Sequence, residues 1–306
     1  MNVTSQTITY RPGTEADSYT TFLIFETAYA DLLNRLGFKA SGRGSDPEAL
    51  TSMWVKRKSL YNHLARTADQ FWIAESEGDP VGFSRSIVRG SLRELTELFV
   101  LPDLQSAGVG RALINRALPE DRTEYKTIIA TTDFRAQTLY LRSGVYPRFP
   151  LYYFGKQPQA RNTPAGLQIK PMDSVPNPLE LTGGVDQVVI GHQRNPDHTW
   201  LMQDRAGFFY FDGSELVGYG YLGISNGPFA LLNPKFTPAV LAHSENHAYE
   251  GGLNHFGVEV PMINQPAVDY LVENGFKLDS FMAVMMTNKL FGKFENYIAT
   301  SPPFFL

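Results

Sequence analysis

The run Leu98-Phe99-Val100-Leu101-Pro102, continued by Gln105-Ser106-Ala107-Gly108-Val109-Gly110-Arg111, joins an apolar strand to a helix through a turn with two glycines. Pro102 stops the strand because it cannot donate to a ladder. Val109, Ala112, Leu113 and Ala117 recur at helical spacing and give the following helix, Gly108 to Leu118, one buried face. Gly108 and Gly110 remove side chains where a ligand would approach the backbone. The free N–H groups of the turn and of the first helical residues then point outward, and with the positive end of the helix dipole they make an anion site suited to phosphate. An ordinary glycine turn ahead of a packing helix has the same spacing. Two better-known phosphate loops are excluded, since neither Gly-x-x-x-x-Gly-Lys nor Gly-x-Gly-x-x-Gly occurs here.

Strand and helix patterns alternate on both sides of this turn. Upstream, Ile8–Tyr10 reads as a strand. Thr14 caps a helix carrying Phe22, Phe25, Ala28, Tyr29 and Leu32 and ended by Gly37, and Ser45-Asp46-Pro47-Glu48 starts a second helix that runs to Ala68. Phe71–Glu75 and Val81–Val88 are strands joined by the tight turn Glu77-Gly78-Asp79-Pro80, and Leu92–Leu101 is a longer strand. Downstream come the strand Lys126–Thr131, the short helix Phe134–Arg142 ended by Ser143-Gly144, and the strand Tyr146–Phe154. Gly155–Gly166 reads GKQPQARNTPAG, a linker composition. The second half repeats the order faintly, with strands at Leu167–Pro171, Phe208–Phe211, Leu216–Leu222, Phe229–Leu232, His255–Val260 and Phe281–Thr287. Its helices fall at Leu179–His192, Pro238–Tyr249 and Gln265–Asn274.

With Gln-x-x-Gly-x-Gly-Arg after an apolar strand, and Asp133-x-x-Ala136-x-x-x-Tyr140-x-x-x-Gly144 downstream, residues 8–154 resemble the GNAT acyl-CoA N-acyltransferases. The resemblance implies an α/β fold of two GNAT-like domains, each a mixed, mostly antiparallel central sheet flanked by helices: a catalytic domain over 1–155, a linker over 156–166 and a degenerate copy over 167–306. It implies that the backbone of Leu98, Phe99 and Val100 pairs with the pantetheine arm of acetyl-CoA, the acyl-donor substrate. Backbone amides across Gln105, Ser106, Ala107, Gly108, Val109, Gly110 and Arg111 would hold the pyrophosphate. Tyr140 takes the place of the general acid that returns a proton to the departing thiolate, although its helix also suits an amphipathic core tyrosine. Asp133 stands where the family has Asn, and Val145 where it has Phe. Asp133 still accepts a hydrogen bond but donates none when ionised, which affects the geometry near the thioester.

Glu97 and Glu94, on the strand before the turn, are the candidate bases for the acceptor amine; solvated or ion-paired carboxylates are the alternative for each. Alternation puts them on opposite faces unless a bulge intervenes. In the second half, Asn264-x-x-Ala267-x-x-x-Leu271-x-x-x-Gly275-Phe276 resembles the late motif with Leu271 in place of the acid, and Asn233-Pro234-Lys235-Phe236-Thr237-Pro238 stands where the glycine turn should be. The copy is expected to lack a cofactor site. His243 and His247 lie one helical turn apart, but the zincin pattern needs its Glu one position earlier, so no metal is expected.

Composition narrows the chemistry further. The 306 residues contain no cysteine, which excludes a disulfide framework, a Cys-ligated metal and a Cys nucleophile. The net charge of −4 argues against nucleic acid and membrane surfaces as partners. No apolar run is long enough for a membrane helix, and Met1–Tyr10 lacks the features of a secretory signal, so a cytoplasmic protein is expected. Basic and acidic residues number 18 and 17 in 1–155 but 9 and 14 in 156–306, so an anionic ligand would favour the first half. The function expected is acetyl-CoA-dependent transfer of an acetyl group to a small-molecule or peptide amine by direct attack on the thioester. A CoA-binding regulatory or ligand-binding module without turnover is the alternative, and the oligomeric state, a homodimer included, is open.

Overall fold

The computed structural model describes residues 7–38, 44, 46–105, 108–162, 166–303 and 306. Contacts divide the chain into two compact units, one running to Ile128 and including Asp133–Ser143, the other made of Ile129–Thr132 and Gly144–Leu306.

The first unit follows the predicted order: β1 (Ile8–Pro12), α1 (Ser18–Arg35), α2 (Pro47–Thr67), β2 (Gln70–Ser76), β3 (Asp79–Arg89), β4 (Leu92–Val100), α3 (Val109–Ala117), β5 (Tyr125–Ala130, crossing the unit boundary) and α4 (Phe134–Arg142). Asp46 caps α2 by accepting from the Glu48 and Ala49 amides, with Pro47 in the first turn. β1 to β4 form an antiparallel meander, and β5 joins β4 in parallel. Alternation along β3 assigns the faces. Ser84 and Ser86 donate to the carbonyls of Leu113 and Ala117, which seats α3 on one face. Phe83 and Arg85 point to the other face, where α1 and α2 pack through Phe22, Phe25, Trp54 and Tyr61 in mutual ring contact. Phe22 and Tyr61 are fully buried, and each apolar side chain of this size is worth roughly 1.5–3 kcal/mol of burial.

The second unit contains β6 (Tyr146–Lys156), β7 (Leu167–Pro171), α5 (Pro178–Val189), α6 (Asn195–Asp204), β8 (Ala206–Asp212), β9 (Glu215–Leu222), β10 (Phe229–Leu231), α7 (Thr237–Glu250), β11 (Phe256–Pro261), α8 (Gln265–Glu273), β12 (Lys277–Thr287) and β13 (Tyr297–Ile298). Strands run β13-β10-β9-β8-β7 in one sheet and β12-β6-β11 in another run, all antiparallel. β6, which closes the first half in the sequence, packs with this unit because both its edges are bonded there, Tyr153 facing Glu259 on one side and Tyr152 facing Met282 on the other. The linker residues that are described are tied down: Glu245 accepts from the Gln159 amide and pairs with Lys156 and Arg161, and Asn246 accepts from the Arg161 amide.

Two elements escape the sequence reading. The helix expected over Leu179–His192 ends at Val189, and Gly191, at φ +82°, turns the chain into a second helix, α6. α6 shows no apolar stripe because its buried side is polar. His198 bonds Asp186 (2.7 Å) and Tyr221 (2.9 Å), while Arg194 bonds Asp186 (2.8 Å), Tyr219 (2.7 Å) and Tyr297 (3.0 Å). Tyr219 also donates to Asp186, so every member of this fully buried set is partnered. β13 is two residues long and has no periodicity to read.

Candidate functional site

β4 leaves the sheet at Val100, turns through Pro102–Leu104 and reaches Gln105, whose side-chain amide donates back to the Val100 carbonyl at 2.9 Å. Gly108, at φ +86°, is the N-cap of α3, a left-handed position that a Cβ would strain. Gly108 has no side chain to cap this helix, so its leading N–H groups receive no acceptor from the N-cap residue. A Cβ at Gly108 would meet nothing within 4 Å, and one at Gly110 only the Leu139 side chain at 3.5 Å. Among the described residues, then, only the Leu139 side chain comes near the two glycines. Val109 is buried and Arg111 exposed. Ser106 and Ala107 lie outside the described residues.

The parallel ladder between β4 and β5 pairs Leu92–Leu95 with Tyr125–Ile128 and stops there. From Thr96 onward, β4 is paired among the described residues on its β3 side. Leu98 packs toward the α3 cluster, and Phe99 packs at 4.8 Å against Phe25 on the opposite face. The strand's side chains are thus spent on its two faces, and its backbone edge beyond Leu95 is left for an extended ligand to pair with.

A bulge settles the carboxylates. Arg85 faces Glu97 and Ser86 faces Leu95, so Thr96 is the extra residue, and its hydroxyl donates to the Arg85 carbonyl. Glu94, opposite Ile87, and Glu97, opposite Arg85, therefore share the α1/α2 face. Both are buried. Arg85 Nε lies 3.0 Å from Glu97 Oε2, yet neither Glu97 oxygen has a hydrogen-bond donor among the described residues. Burial pushes the Glu97 carboxyl up, and the charges of Arg85 and Arg57 act against that rise.

The second motif sits on α4. Asp133 caps it by accepting from the Arg135 amide at 2.9 Å and pairs with Arg35 at the end of α1 at 3.0 Å. Burial acts to raise its carboxyl, but the Arg135 amide and the Arg35 guanidinium outweigh it and hold the group below the usual range. A carboxylate in this place is thus a helix cap and a strut to α1. Tyr140 is buried, and its hydroxyl has no hydrogen-bond partner among the described residues. Burial first, and Asp133 second, push its phenol upward, so at neutral pH it holds its proton and is a donor. Leu139, beside Gly110, brings this helix against the glycine turn.

Sequence reasoning missed Arg85 and Arg57. The tight turn at Glu77-Gly78 fixes the β2–β3 register, but the β3–β4 register shifts at Thr96, which no local pattern marks.

The second unit differs at each matching point. α7 opens with Thr237-Pro238 and has no left-handed glycine before it, and Pro238 lacks an N–H. A cleft of about 430 Å³ there is lined by three prolines with Lys235, Gln265, Tyr270, Asp269 and Glu273, so two carboxylates stand where a phosphate would be repelled. Leu271 is fully buried core, and Asn264 caps α8 by accepting from the Ala267 amide. His243 meets the Tyr210 hydroxyl at 3.1 Å and packs on Phe208; burial, then His247, lower its imidazole to about 4.

Residues 67–145 match the family described as acetyltransferase (GNAT) domain. An uncharacterized N-acetyltransferase of Methanocaldococcus jannaschii is 33% identical over 73 residues, 22% of this chain and 32% of that protein, so the likeness spans about a third of the relative. One from Archaeoglobus fulgidus is 28% identical over 102 residues, 28% of this chain and 69% of the relative. In fold, a putative acetyltransferase from Pyrococcus horikoshii matches 97% of this chain and 95% of its own at a TM-score of 0.70 and 16% identity. A tandem GNAT protein from the clavulanic acid biosynthesis pathway matches 92% and 98% at 0.57 and 14%. Residues 67–145 thus carry the likeness to a GNAT acetyltransferase domain, and the fold of the chain is that of two GNAT-like domains.

Proposed function

We propose that this chain is an acetyl-CoA-dependent N-acetyltransferase of the GNAT type whose chemistry lies within residues 1–155, with 156–166 as connection and 167–306 as a silent copy. The observation that supports this best is the end of β4. Its ladder to β5 stops at Leu95, and the strand then leads into the uncapped, glycine-lined start of α3. An extended pantetheine arm suits the free backbone edge of Leu98–Val100, and a pyrophosphate suits the N–H groups of Gln105–Arg111.

The acceptor is a small-molecule or peptide amine. Its neutral nitrogen attacks the thioester carbonyl carbon, the new C–N bond forms, and collapse of the tetrahedral adduct breaks the C–S bond. Glu97, directly or through a water, takes the proton that the nitrogen sheds, and Tyr140 supplies one to the departing thiolate, so the products are an amide and free CoA. Asp133 acts indirectly, by fixing the helix that carries Tyr140. The need for acetyl-CoA is met in the cytoplasm.

A panel of primary amines, followed by thiol release from acetyl-CoA, tests the reading. Turnover with at least one amine, lost in Tyr140→Phe, supports it. Tight CoA binding with no turnover on any amine would favour a CoA-responsive binding module instead.

A further inference from the structure

We infer that Arg85 is a positioning residue for this acyl transfer, holding the Glu97 carboxylate ionised by charge alone while leaving its oxygens free to take a proton. The inference rests on the assignment of Glu97 as the base.

Arg85 is fully buried and fixed from several directions. Nη1 donates to the Tyr61 carbonyl at 3.0 Å and Nη2 to the Thr21 hydroxyl at 2.8 Å, so both ends of its fork are spent on α2 and α1. Its guanidinium carbon lies 4.5 Å from the centre of the Phe71 ring and 5.4 Å from those of Phe83 and Tyr61. Only Nε is left for Glu97, and at 3.0 Å it is close without being aligned as a donor. A buried ion pair that served stability alone would turn the guanidinium fork onto the carboxylate and satisfy it bidentately. Here the fork is turned away, and both carboxylate oxygens are buried without a donor. That arrangement costs stability and preserves basicity, because a hydrogen bond to the ionised form would lower its affinity for the proton.

The other charged or titratable groups around Glu97 are known. Arg57 on α2 sits 3.3 Å from Glu26 of α1, Tyr61 is on α2, and Glu94 shares the strand face. Burial opposes the ionised carboxyl, Arg57 is shared with Glu26, and Glu94 adds a like charge. Arg85 is thus the cation closest to the carboxylate, and its loss should leave Glu97 protonated near neutrality.

The test is the pH dependence of kcat/KM for the amine at saturating acetyl-CoA, in wild type, Arg85→Met, Arg85→Lys and Arg85→Met/Glu97→Gln. In Arg85→Met the acid limb should move up by about one pH unit or more and the rate at pH 7 fall at least tenfold, with CoA affinity unchanged. Arg85→Lys, which keeps the charge, should recover most of the shift, and the double variant should lose the limb. A lowered Tm with an unmoved limb would make Arg85 a structural residue and overturn the inference. Should Arg85→Met not fold, the Lys variant decides: an acid limb displaced by about a full pH unit or more although the charge is kept overturns it. Carboxyl-labelled glutamate NMR, with Glu97 assigned through Glu97→Gln, reads the same titration without turnover. If wild type acetylates no amine, the functional reading fails, and an unmoved Glu97 titration in Arg85→Met still overturns the role of Arg85.

Discussion

Glu94 and Glu97 stand on one face of β4 although three positions separate them, because Thr96 bulges out opposite Arg85 and Ser86. Two buried carboxylates side by side do not serve one reaction equally. Glu97 faces Arg85 and has no hydrogen-bond donor to its oxygens among the described residues, whereas Glu94 faces Ile87. Glu97→Gln should lower kcat about 10²–10⁴-fold, the usual cost of losing a general base, and Glu94→Gln less than tenfold. Steady-state kinetics on the best amine of a panel checks both; a larger loss from Glu94→Gln would transfer the role.

Gly110 lies in the first turn of α3, where among the described residues an added Cβ would meet only the Leu139 side chain, at 3.5 Å. Gly110→Glu puts a carboxylate beside the uncapped N–H groups, where it competes with and repels a pyrophosphate. CoA affinity should fall beyond detection, while Tm changes by no more than a degree or two. Calorimetry should also find one CoA per chain, since the second unit offers Pro238 and carboxylates at the matching place.

Tyr140 separates two roles on one substitution. Its hydroxyl has no partner among the described residues, so Tyr140→Phe forfeits no internal hydrogen bond and should leave Tm within a few degrees. A general acid should cost about 10²–10⁴ in kcat, or roughly 3–5 kcal/mol at about 1.4 kcal/mol per tenfold. A kcat within a few-fold of wild type would reduce Tyr140 to a core residue.

Two groups, the half-buried Glu259 and the buried His192, give the stability of the second unit opposite pH slopes. Burial, then Asp279, raises the Glu259 carboxyl from 4.5 to about 8. The folded state therefore holds a proton there that the unfolded chain has lost. Stability from Glu259 is complete below pH ~4.5 and is lost as the pH rises towards 8. His192, lowered from 6.5 to about 4 by burial and then by Arg194, is neutral in the fold, so stability is lost as the pH falls from 6.5 to 4. Tm measured from pH 4 to 9 should flatten on its alkaline side in Glu259→Gln and on its acid side in His192→Phe.

The Asp186–Arg194 pair is fully buried at 2.8 Å. Arg194→Met leaves Asp186 charged and short of a partner, and should cost about 3–5 kcal/mol. Asp186→Asn with Arg194→Met should recover part of that loss. Urea unfolding of the three variants checks the ordering.

How legible was all this beforehand? Glycines, prolines and apolar spacing announce β4, α3 and α4, because turn chemistry and helical periodicity are local. The turn Gln105–Arg111 stands out by those same signals, whereas Asp133 and Tyr140 are picked out by the resemblance to the GNAT pattern. The pairing of Arg85 with Glu97 is announced by neither, since it depends on a one-residue register shift that no side-chain pattern encodes. α6 was missed for a related reason: Arg194 and His198 bury their polar groups against Asp186 and three tyrosines, and a helix packed on polar partners carries no apolar stripe.

β6 carries a timing problem for synthesis. Tyr153 bonds His255, 102 positions later, and the strand's partners β11 and β12 lie at comparable distances along the chain. At the usual ~5–20 residues per second, the ribosome exposes this strand for roughly 5–20 seconds before either edge is satisfied. An unpaired apolar strand invites another chain. The stretch Tyr146-Pro147-Arg148-Phe149-Pro150 answers that hazard in its own composition: two prolines withhold donors from any passing strand, and an arginine between them keeps the nascent edge hydrated until the right partners emerge.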